Sequence, residues 1–248
     1  MTIRLKQLFE VFFSKRASDA QQLLKEVTEK SCYVTFLNPY TLLSFAKTDI
    51  DFSQFDYICS DALFPVLLER IWGYKERKRI SFDLGSFAFD LFNYSSTHMK
   101  KIFLWGTTDE NLKMAKKLFE QNFTGMKIVG TENGFHSSEE EEAIIESILK
   151  ESPDFIIIGQ GVPKQDKLAL TLKQKGFNGS VFTCGGFLHQ TAMSSNGYYY
   201  PDWINRWNLR TPYRLCKERY ILKRLIMFYI PFLFKYSYFL LQKSLKIQ

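Results

Sequence analysis

Polar and glycine-rich loops follow several apolar segments of the chain, and these loops are the first candidates for a binding site. The segment FIIIG ends at Gly159 and continues as Gln160-Gly161, and a later apolar segment ends in Gly185-Gly186. Glycines allow backbone N–H groups to approach a phosphate, and a helix that starts just beyond adds a favourable potential for an anion. A nucleoside diphosphate is therefore a natural ligand. Two further loops carry polar side chains suited to chemistry, Asn38 and Asp61.

The loop at Gly159 does not complete a nucleotide-binding fingerprint. In the pattern G-x-G-x-x-G the third glycine would fall on Lys164, and the chain contains no G-x-x-x-x-G-K-[ST] sequence. A structural turn explains this loop equally well when it is considered alone. A nucleotide-cofactor oxidoreductase would need the missing glycine and an acidic ribose-binding residue, and it is kept as an alternative function.

The segments around these loops predict an α/β fold. Strands that alternate with helices form a mainly parallel, Rossmann-like sheet flanked by helices. Ligands of such sheets bind beyond the carboxyl ends of the strands, where the loops described above would meet. About six strands are predicted, at 32–36, 55–59, 101–105, 126–130, 154–159 and 180–184, with helices at 18–30, 62–73, 109–122, 137–152 and 163–176.

Length and cysteine usage indicate one cytosolic domain with a short appendage. The chain has 248 residues, of which 46% are hydrophobic, so it can bury a substantial core. Its four cysteines are scattered, without a C-x-x-C pair or a nearby histidine, which favours neither a zinc site nor a disulfide framework. The first residues lack the long apolar stretch of a signal peptide, and we expect the start of the chain not to be exported.

Positive charge is concentrated at the C-terminal end. The chain carries +7, but residues 206–248 contain ten basic residues and one acidic residue, which is +9 and leaves −2 for residues 1–205. This end also contains a 17-residue apolar and aromatic stretch, 225–241, which Pro231 and Lys235 interrupt. A spanning helix needs about 20 apolar residues, so we expect an amphipathic, helical appendage in the membrane interface.

The composition of the appendage indicates the kind of surface to which it binds. Basic residues beside aromatic ones suit anionic lipid headgroups better than a nucleic-acid groove, so we expect an anionic membrane surface and no nucleic acid. A homo-oligomer interface is the alternative use of the same apolar residues. The predicted division is a body of residues 1–205 and an appendage of residues 206–248.

The motifs together resemble those of a known enzyme family. The pattern is similar to the WecG/TagA/CpsF glycosyltransferases, glycosyltransferase family 26, over roughly residues 30–225. The matching segments are Asn38-Pro39, the Asp61 loop with the following Arg70 and Gly73, Gly134-Phe135, SPDFIIIGQGVPKQD (152–166), CGG (184–186) and YRLCKER (213–219).

The resemblance implies a function and a location. Residues 1–205 would be a nucleotide-sugar-binding catalytic domain, and the enzyme would move a hexosyl, N-acetylhexosaminyl or uronosyl group from a UDP-sugar, with inversion and without a metal or other cofactor. The acceptor would be a polyprenyl-diphosphate-linked saccharide used for cell-surface polysaccharide. The protein would lie peripherally at the cytoplasmic face of the bacterial inner membrane. A non-catalytic membrane scaffold is the third function class kept open.

The resemblance also assigns roles to residues. Asp61 matches the general base, with a helix N-cap as its structural alternative, and Asn38 matches an asparagine that orients a sugar hydroxyl, with a plain Asn-Pro turn as its alternative. Arg214 and Arg224 match arginines that reach the diphosphate, with lipid headgroups as the alternative. The remaining expected substrate-binding residues are Gly106, Gly134, Phe135, Gly159, Gly161, Pro163, Gln165, Gly185 and Gly186, with Gln165 directed at uracil or ribose.

The sequence departs from the family pattern at four sites, which contain five residues. Ala62 replaces a glycine, His189 replaces the aspartate after the Gly-Gly turn, Tyr199 replaces an arginine, and Arg210-Thr211 replaces a Glu-Trp pair. The resemblance therefore does not identify the sugar.

One further sequence has the spacing of a metal site. Asp49-Ile50-Asp51 resembles the D-x-D of metal-dependent glycosyltransferases, but it precedes a predicted strand instead of following one. We expect no metal site in this protein.

Overall fold

The protein is built on a six-stranded sheet in which every strand pair is parallel. The computed structural model describes residues 1–194, 197–199, 201–207, 213 and 220–245. The predicted α/β sheet of about six strands is confirmed, and the strand order is β2-β1-β6-β5-β3-β4. The strands are β1 Tyr33–Leu37, β2 Tyr57–Ser60, β3 Lys101–Gly106, β4 Lys127–Glu132, β5 Phe155–Gly159 and β6 Ser180–Thr183.

Helices cover both faces of the sheet. The described helices are α1 Ile3–Ser14, α2 Ala20–Glu29, α3 Pro39–Phe45, α4 Leu63–Ile71, α5 Phe87–Thr97, α6 Asp109–Asn122, α7 Ser138–Glu151, α8 Lys164–Gln174, α9 Phe187–Ala192, α10 Asp202–Arg206, α11 Tyr220–Arg224 and α12 Ile230–Ser244. Helices α1, α3, α4, α7, α8 and α12 contribute to the core on one face, and α2, α5, α6 and α9 to the core on the other.

The local sequence explains both kinds of element. In β5, Ile156 and Ile158 enter one core while Phe155 and Ile157 enter the other, because successive side chains of a strand point to opposite faces. Side-chain caps start several helices: Ser137, for example, accepts a hydrogen bond from the Glu140 N–H. All five predicted helices are present within two residues of their predicted ends, whereas α1, α3, α5, α9 and α10 were not predicted.

The C-terminal part of the described chain is one continuous helix. Helix α11, a π-helical turn at Leu225–Tyr229 and α12 follow one another without a break, and we call them together the C-terminal helix. Pro231 and Lys235 do not interrupt it, contrary to the sequence interpretation. Pro231 lies in the first turn of α12, just after the π-helical turn, where local hydrogen bonding already departs from the α pattern. Within the described residues, only Leu222–Ser244 is long and apolar enough to cross a membrane.

One side of the C-terminal helix packs against the body. The rings of Phe232, Tyr236 and Phe239 are buried, with centroids 5.6, 5.0 and 5.7 Å from that of Phe9 in α1. The Tyr236 hydroxyl donates a hydrogen bond to Glu69 Oε1 at 2.6 Å. The opposite side leaves an exposed apolar stripe at Ile226, Ile230, Phe234, Tyr238, Leu241 and Leu245. The division of the chain at residue 205 stays a prediction.

Candidate active site

A cavity of about 900 Å³ lies at the carboxyl ends of β1, β2, β5 and β6. This is the edge at which ligands of parallel sheets bind, and the volume suits a small-molecule substrate. Of the residues predicted from sequence, the cavity is lined by Asn38, Asp61, Gly159, Gly161, Gln165, Gly185, Gly186 and Arg224.

Four other predicted residues do not line the cavity. A Cβ on Gly106 would lie 2.3 Å from the Gly159 carbonyl oxygen, so glycine permits the close approach of β3 and β5 there. Gly134 donates its N–H to the Thr107 carbonyl at 2.9 Å, while Phe135 is 75% exposed and Pro163 begins helix α8. The substrate-binding role assigned to these four stays a prediction. Arg214 lies outside the described residues.

Asp61 is held at the end of β2 through its backbone. Its N–H donates to the Leu37 carbonyl at 2.8 Å, and its carbonyl accepts from Arg79 Nε at 2.8 Å. Helix α4 has Ala62 at its N-cap, without a side-chain cap, so Asp61 does not occupy the cap position considered as its structural alternative. The loop therefore presents a half-buried carboxylate in the wall of the cavity.

Arg79 is a site residue that the sequence interpretation missed. Its guanidinium donates to Ser81 Oγ at 2.6 Å and forms an ion pair with Asp83 Oδ2 at 3.6 Å. Both Arg79 and Asp83 line the cavity. In the sequence, Arg79 ends a basic run, KERKR, within a body of slightly negative charge, and this run could have drawn attention to it. Only the fold brings this run, 18 residues along the chain, back to Asp61.

Asn38 lines the cavity and also caps the helix that follows it. Its Oδ1 accepts from the Thr41 N–H at 3.1 Å, and the Asn38 N–H donates to Thr41 Oγ1 at 2.8 Å, which starts helix α3. Because Oδ1 is engaged in this cap, the amide nitrogen is the group through which Asn38 can contact a ligand. The turn-forming alternative is thus observed, and it is compatible with the predicted contact to a sugar hydroxyl.

The two glycine-rich loops are linked through Gln165. Its buried Oε1 accepts the Gly185 N–H at 3.1 Å, so this amide is used inside the protein. Gly161 and Gly185 have φ angles of +72° and +58°, a backbone region that favours glycine. Gln165 therefore fixes the shape of the Gly-Gly turn, and its predicted contact with uracil or ribose would come from its amide nitrogen.

A buried polar network includes Asp166 and Thr183, the chain neighbours of the lining residues Gln165 and Cys184. The Thr183 hydroxyl donates to Thr35 Oγ1 at 2.8 Å, and the Thr35 hydroxyl donates to Asp166 Oδ1 at 2.7 Å. Burial raises the pKa of Asp166 to about 7. The network joins β1, β6 and the first turn of α8, which also carries Gln165.

The C-terminal helix places a basic residue at the cavity. The guanidinium of Arg224 lies 4.2 Å from the ring centroid of Tyr40, and Phe228 packs edge-on against the same ring at 4.8 Å. Tyr40, Arg224 and Tyr229 all line the cavity. A cation stacked on an aromatic ring keeps its charge while losing freedom of movement, so Arg224 is a positioned positive group.

The D-x-D sequence has a structural role. Asp51 Oδ1 accepts from the Ser53 N–H at 3.0 Å and caps a short 3₁₀ helix, and the exposed Asp49 pairs with Arg4 at 3.4 Å. Among the described residues, no group of three His, Cys, Asp or Glu side chains could hold a metal ion.

One cavity at the carboxyl edge of a parallel sheet thus contains glycine-rich loops, a carboxylate and a stacked arginine. This is the arrangement expected of a group-transfer enzyme that acts on a nucleotide-activated substrate. The sequence model of the glycosyl transferase WecG/TagA/CpsF family matches residues 7–246, and the chain belongs to this family. It is a glycosyltransferase, as the sequence motifs predicted.

Two curated relatives are similar over most of the chain. One is the UDP-Gal:alpha-D-GlcNAc-diphosphoundecaprenol beta-1,4-galactosyltransferase of Shigella boydii, which is 37% identical over 225 residues, 90% of this chain and 92% of the relative. Another is the N-acetylglucosaminyldiphosphoundecaprenol N-acetyl-beta-D-mannosaminyltransferase of Bacillus subtilis (strain 168), which is 23% identical over 175 residues, 70% of this chain and 66% of the relative. These similarities favour a transferase over the oxidoreductase and scaffold alternatives.

Proposed function

We propose that the protein transfers a hexosyl group from a UDP-sugar to a polyprenyl-diphosphate-linked saccharide, with inversion at the anomeric carbon. The observation that carries the proposal is a single cavity in which the Asp61 loop, two glycine-rich loops and Arg224 meet. They supply a base for the acceptor hydroxyl, a lining of small residues for a diphosphate, and a cation for the leaving group.

In the proposed reaction, the Asp61 carboxylate accepts the proton of an acceptor hydroxyl while that oxygen attacks C1 of the donor sugar. The bond between C1 and the β-phosphate oxygen breaks, and its electron pair leaves with UDP. Arg224 stabilises the negative charge that develops on the diphosphate. In this role the guanidinium takes the place of a metal ion. Arg79 holds the backbone of the Asp61 loop and so orients the base.

The names of both relatives contain the same acceptor, N-acetylglucosaminyl-diphosphoundecaprenol. We propose this acceptor class for the present chain, in the synthesis of a cell-surface polysaccharide. The relative at 37% identity is named for UDP-Gal, so galactose is the first donor sugar to test.

The same proposal places the protein peripherally at the cytoplasmic face of the bacterial inner membrane. The exposed stripe of the C-terminal helix lies opposite its packed side, and Lys223 and Lys235 are also exposed on this helix. Apolar and basic residues together favour binding to an anionic membrane surface. Because Arg224 and Tyr229 belong to the same helix, a lipid-linked acceptor in that membrane would be close to the cavity.

The test is transfer of galactose from UDP-Gal to a short-chain GlcNAc-diphosphate-lipid, followed by UDP release and product mass, in the presence of EDTA. We expect Asp61→Asn to reduce turnover by about 10²–10⁴-fold, because general base assistance is lost, and to leave UDP binding unchanged. Asp49→Asn is the matched control, since Asp49 is fully exposed and lies outside the cavity.

Two results would contradict the proposal. Turnover of Asp61→Asn within a fewfold of the unmodified protein would show that Asp61 is not the base. Turnover that appears only with added magnesium or manganese would contradict the metal-independent reaction and return attention to Asp49 and Asp51.

A further inference from the structure

Three side chains form a hydrogen-bonded cluster at the carboxyl end of β3. Asn111 Nδ2, on the first turn of α6, donates to Thr107 Oγ1 at 3.1 Å and lies 3.0 Å from His189 Nδ1. Asn111 is 9% exposed, whereas His189 is exposed, and both His189 and Thr107 line the cavity. The reaction proposed above uses none of these three residues.

The cluster determines which nitrogen of His189 carries the proton. An amide nitrogen has two protons, and Asn111 directs one to Thr107 and the other to His189 Nδ1. Nδ1 of the neutral ring is therefore an acceptor, and the proton resides on Nε2. His189 can thus present an N–H donor to a ligand through Nε2.

The backbone at this point is also unusual. Thr107 has a φ angle of +51°, which is rare for a β-branched residue. Its N–H and carbonyl are both held, by the Gly159 carbonyl at 3.3 Å and the Gly134 N–H at 2.9 Å. Strained residues that are fixed from several sides occur preferentially at functional sites.

The strand order places this cluster far from Asp61. Asp61 follows β2 and Thr107 follows β3, and these strands are separated by β1, β6 and β5. With neighbouring strands about 4.8 Å apart, four steps correspond to about 19 Å. A UDP-sugar has its reacting carbon at one end and its uridine at the other. With the sugar at Asp61 and the diphosphate beside the loops of β5 and β6, the uridine reaches the end of β3.

We propose that His189, oriented by Asn111, binds the uridine of the donor by donating its Nε2 proton to a ribose hydroxyl or a uracil carbonyl, an inference that rests on the proposed function. Both acceptors are oxygen atoms, which can accept a hydrogen bond from an imidazole N–H. His189 is then a donor-binding residue, and Asn111 is a positioning residue that acts through it.

The test compares the binding of UDP and of UMP by calorimetry, because UMP retains the nucleoside but lacks the β-phosphate and the sugar. His189→Ala is expected to weaken the binding of both ligands by the same factor. The factor is about three- to tenfold, as for the loss of one neutral hydrogen bond. His189→Gln, which restores an N–H donor, is expected to recover part of the loss. Asn111→Leu is also expected to weaken the binding of both UDP and UMP.

His98→Ala is the matched control, because His98 stacks on Tyr94 outside the cavity. In steady-state assays, His189→Ala should raise the KM for the UDP-sugar and leave kcat and the KM for the acceptor within twofold. Unchanged binding of UMP in His189→Ala would overturn the inference, and so would a loss confined to UDP or the UDP-sugar, which would place the ring at the diphosphate or the sugar.

The inference and the proposed function can fail separately. If the unmodified protein binds UDP and UMP, and His189→Ala weakens both, the inference stands even where no sugar is transferred. If the unmodified protein binds neither nucleotide, the inference is overturned together with the function.

Discussion

At the scale of single residues, the site depends on polar groups that are held by other polar groups. Gln165 holds the Gly185 amide, and Arg79 holds the Asp61 carbonyl. Asp166 is the extreme case, because its carboxyl group is buried, and its Oδ2 has no hydrogen-bond partner among the described residues. An ionised carboxylate is costly at such a position, which is why its pKa rises to about 7.

The raised pKa of Asp166 predicts a pH-dependent stability. Between about pH 4, where an unfolded Asp titrates, and pH 7, the folded state holds a proton that the unfolded state releases. The free energy of unfolding therefore falls as pH rises through this window. Asp166→Asn keeps an acceptor for Thr35 and cannot ionise, so its Tm should fall less between pH 5 and pH 8 than that of the unmodified protein.

Thermal unfolding at several pH values checks this difference. The exposed Asp49→Asn serves as control and should follow the unmodified protein. Parallel Tm curves for Asp166→Asn and the unmodified protein would show that Asp166 is ionised in the folded state.

At the scale of elements, the C-terminal helix connects the core with the cavity. Tyr236 donates to Glu69, a buried carboxylate that also pairs with Arg16 at 3.2 Å and Arg77 at 3.6 Å. Residues Arg224 and Tyr229 of the same helix line the cavity. A shift of the helix at Tyr236 would therefore be transmitted to the leaving-group end of the site.

We expect Tyr236→Phe to lower stability by about 2 kcal/mol, because the variant loses a hydrogen bond to a buried charged group. For a chain of this size that corresponds to a fall in Tm of roughly 4–8 °C. The KM for the UDP-sugar should rise as well, since Arg224 is less firmly placed. Thermal unfolding and steady-state kinetics measure the two effects.

Tyr238→Phe is the matched control, because this tyrosine is 52% exposed on the opposite side of the helix. Equal Tm and equal KM for the two variants would mean that the bond between Tyr236 and Glu69 does not position the helix.

At the scale of the whole molecule, the C-terminal helix is apolar on two sides. Its inner side is covered by α1 and α4, through contacts such as those of Phe9 and Phe64 with Phe232. The side chains of its outer stripe are exposed. Covering that stripe with lipid removes apolar surface from water, and the neighbouring basic residues add attraction to an anionic surface.

Replacing Ile226, Ile230 and Phe234 together by Ser should reduce flotation with anionic vesicles at least tenfold, because each side chain loses part of its transfer free energy. Replacing Met99 and Met114 by Ser is the control, since both are exposed and belong to other elements, Met99 to the turn after α5 and Met114 to α6. Unchanged flotation of the triple variant, with dissociation of a dimer in sedimentation experiments, would assign the stripe to an interface between copies of this chain.

Sequence alone determined the six strands, five of the helices and the edge of the sheet at which the site lies. Short apolar runs such as FIIIG predicted buried strands, and helical periodicity with polar caps located five helices. Alternation of the two then predicted a parallel sheet, and a parallel sheet places the loops after β1, β2, β5 and β6 at one edge. These conclusions hold because they depend on local geometry, which has a fixed period along the chain.

Tertiary structure alone decided which distant residues join the site and which surfaces are covered. His189 meets Asn111 across 78 positions, and Tyr236 meets Glu69 across 167, and no local period encodes such pairs. The C-terminal segment shows the same limit, because apolar residues facing a protein core and apolar residues facing outward have the same composition. The strand order and the packing of α1 decide which apolar residues of this segment face the core and which face outward. The free energy of burial depends on what lies opposite a side chain and not on its neighbours in sequence.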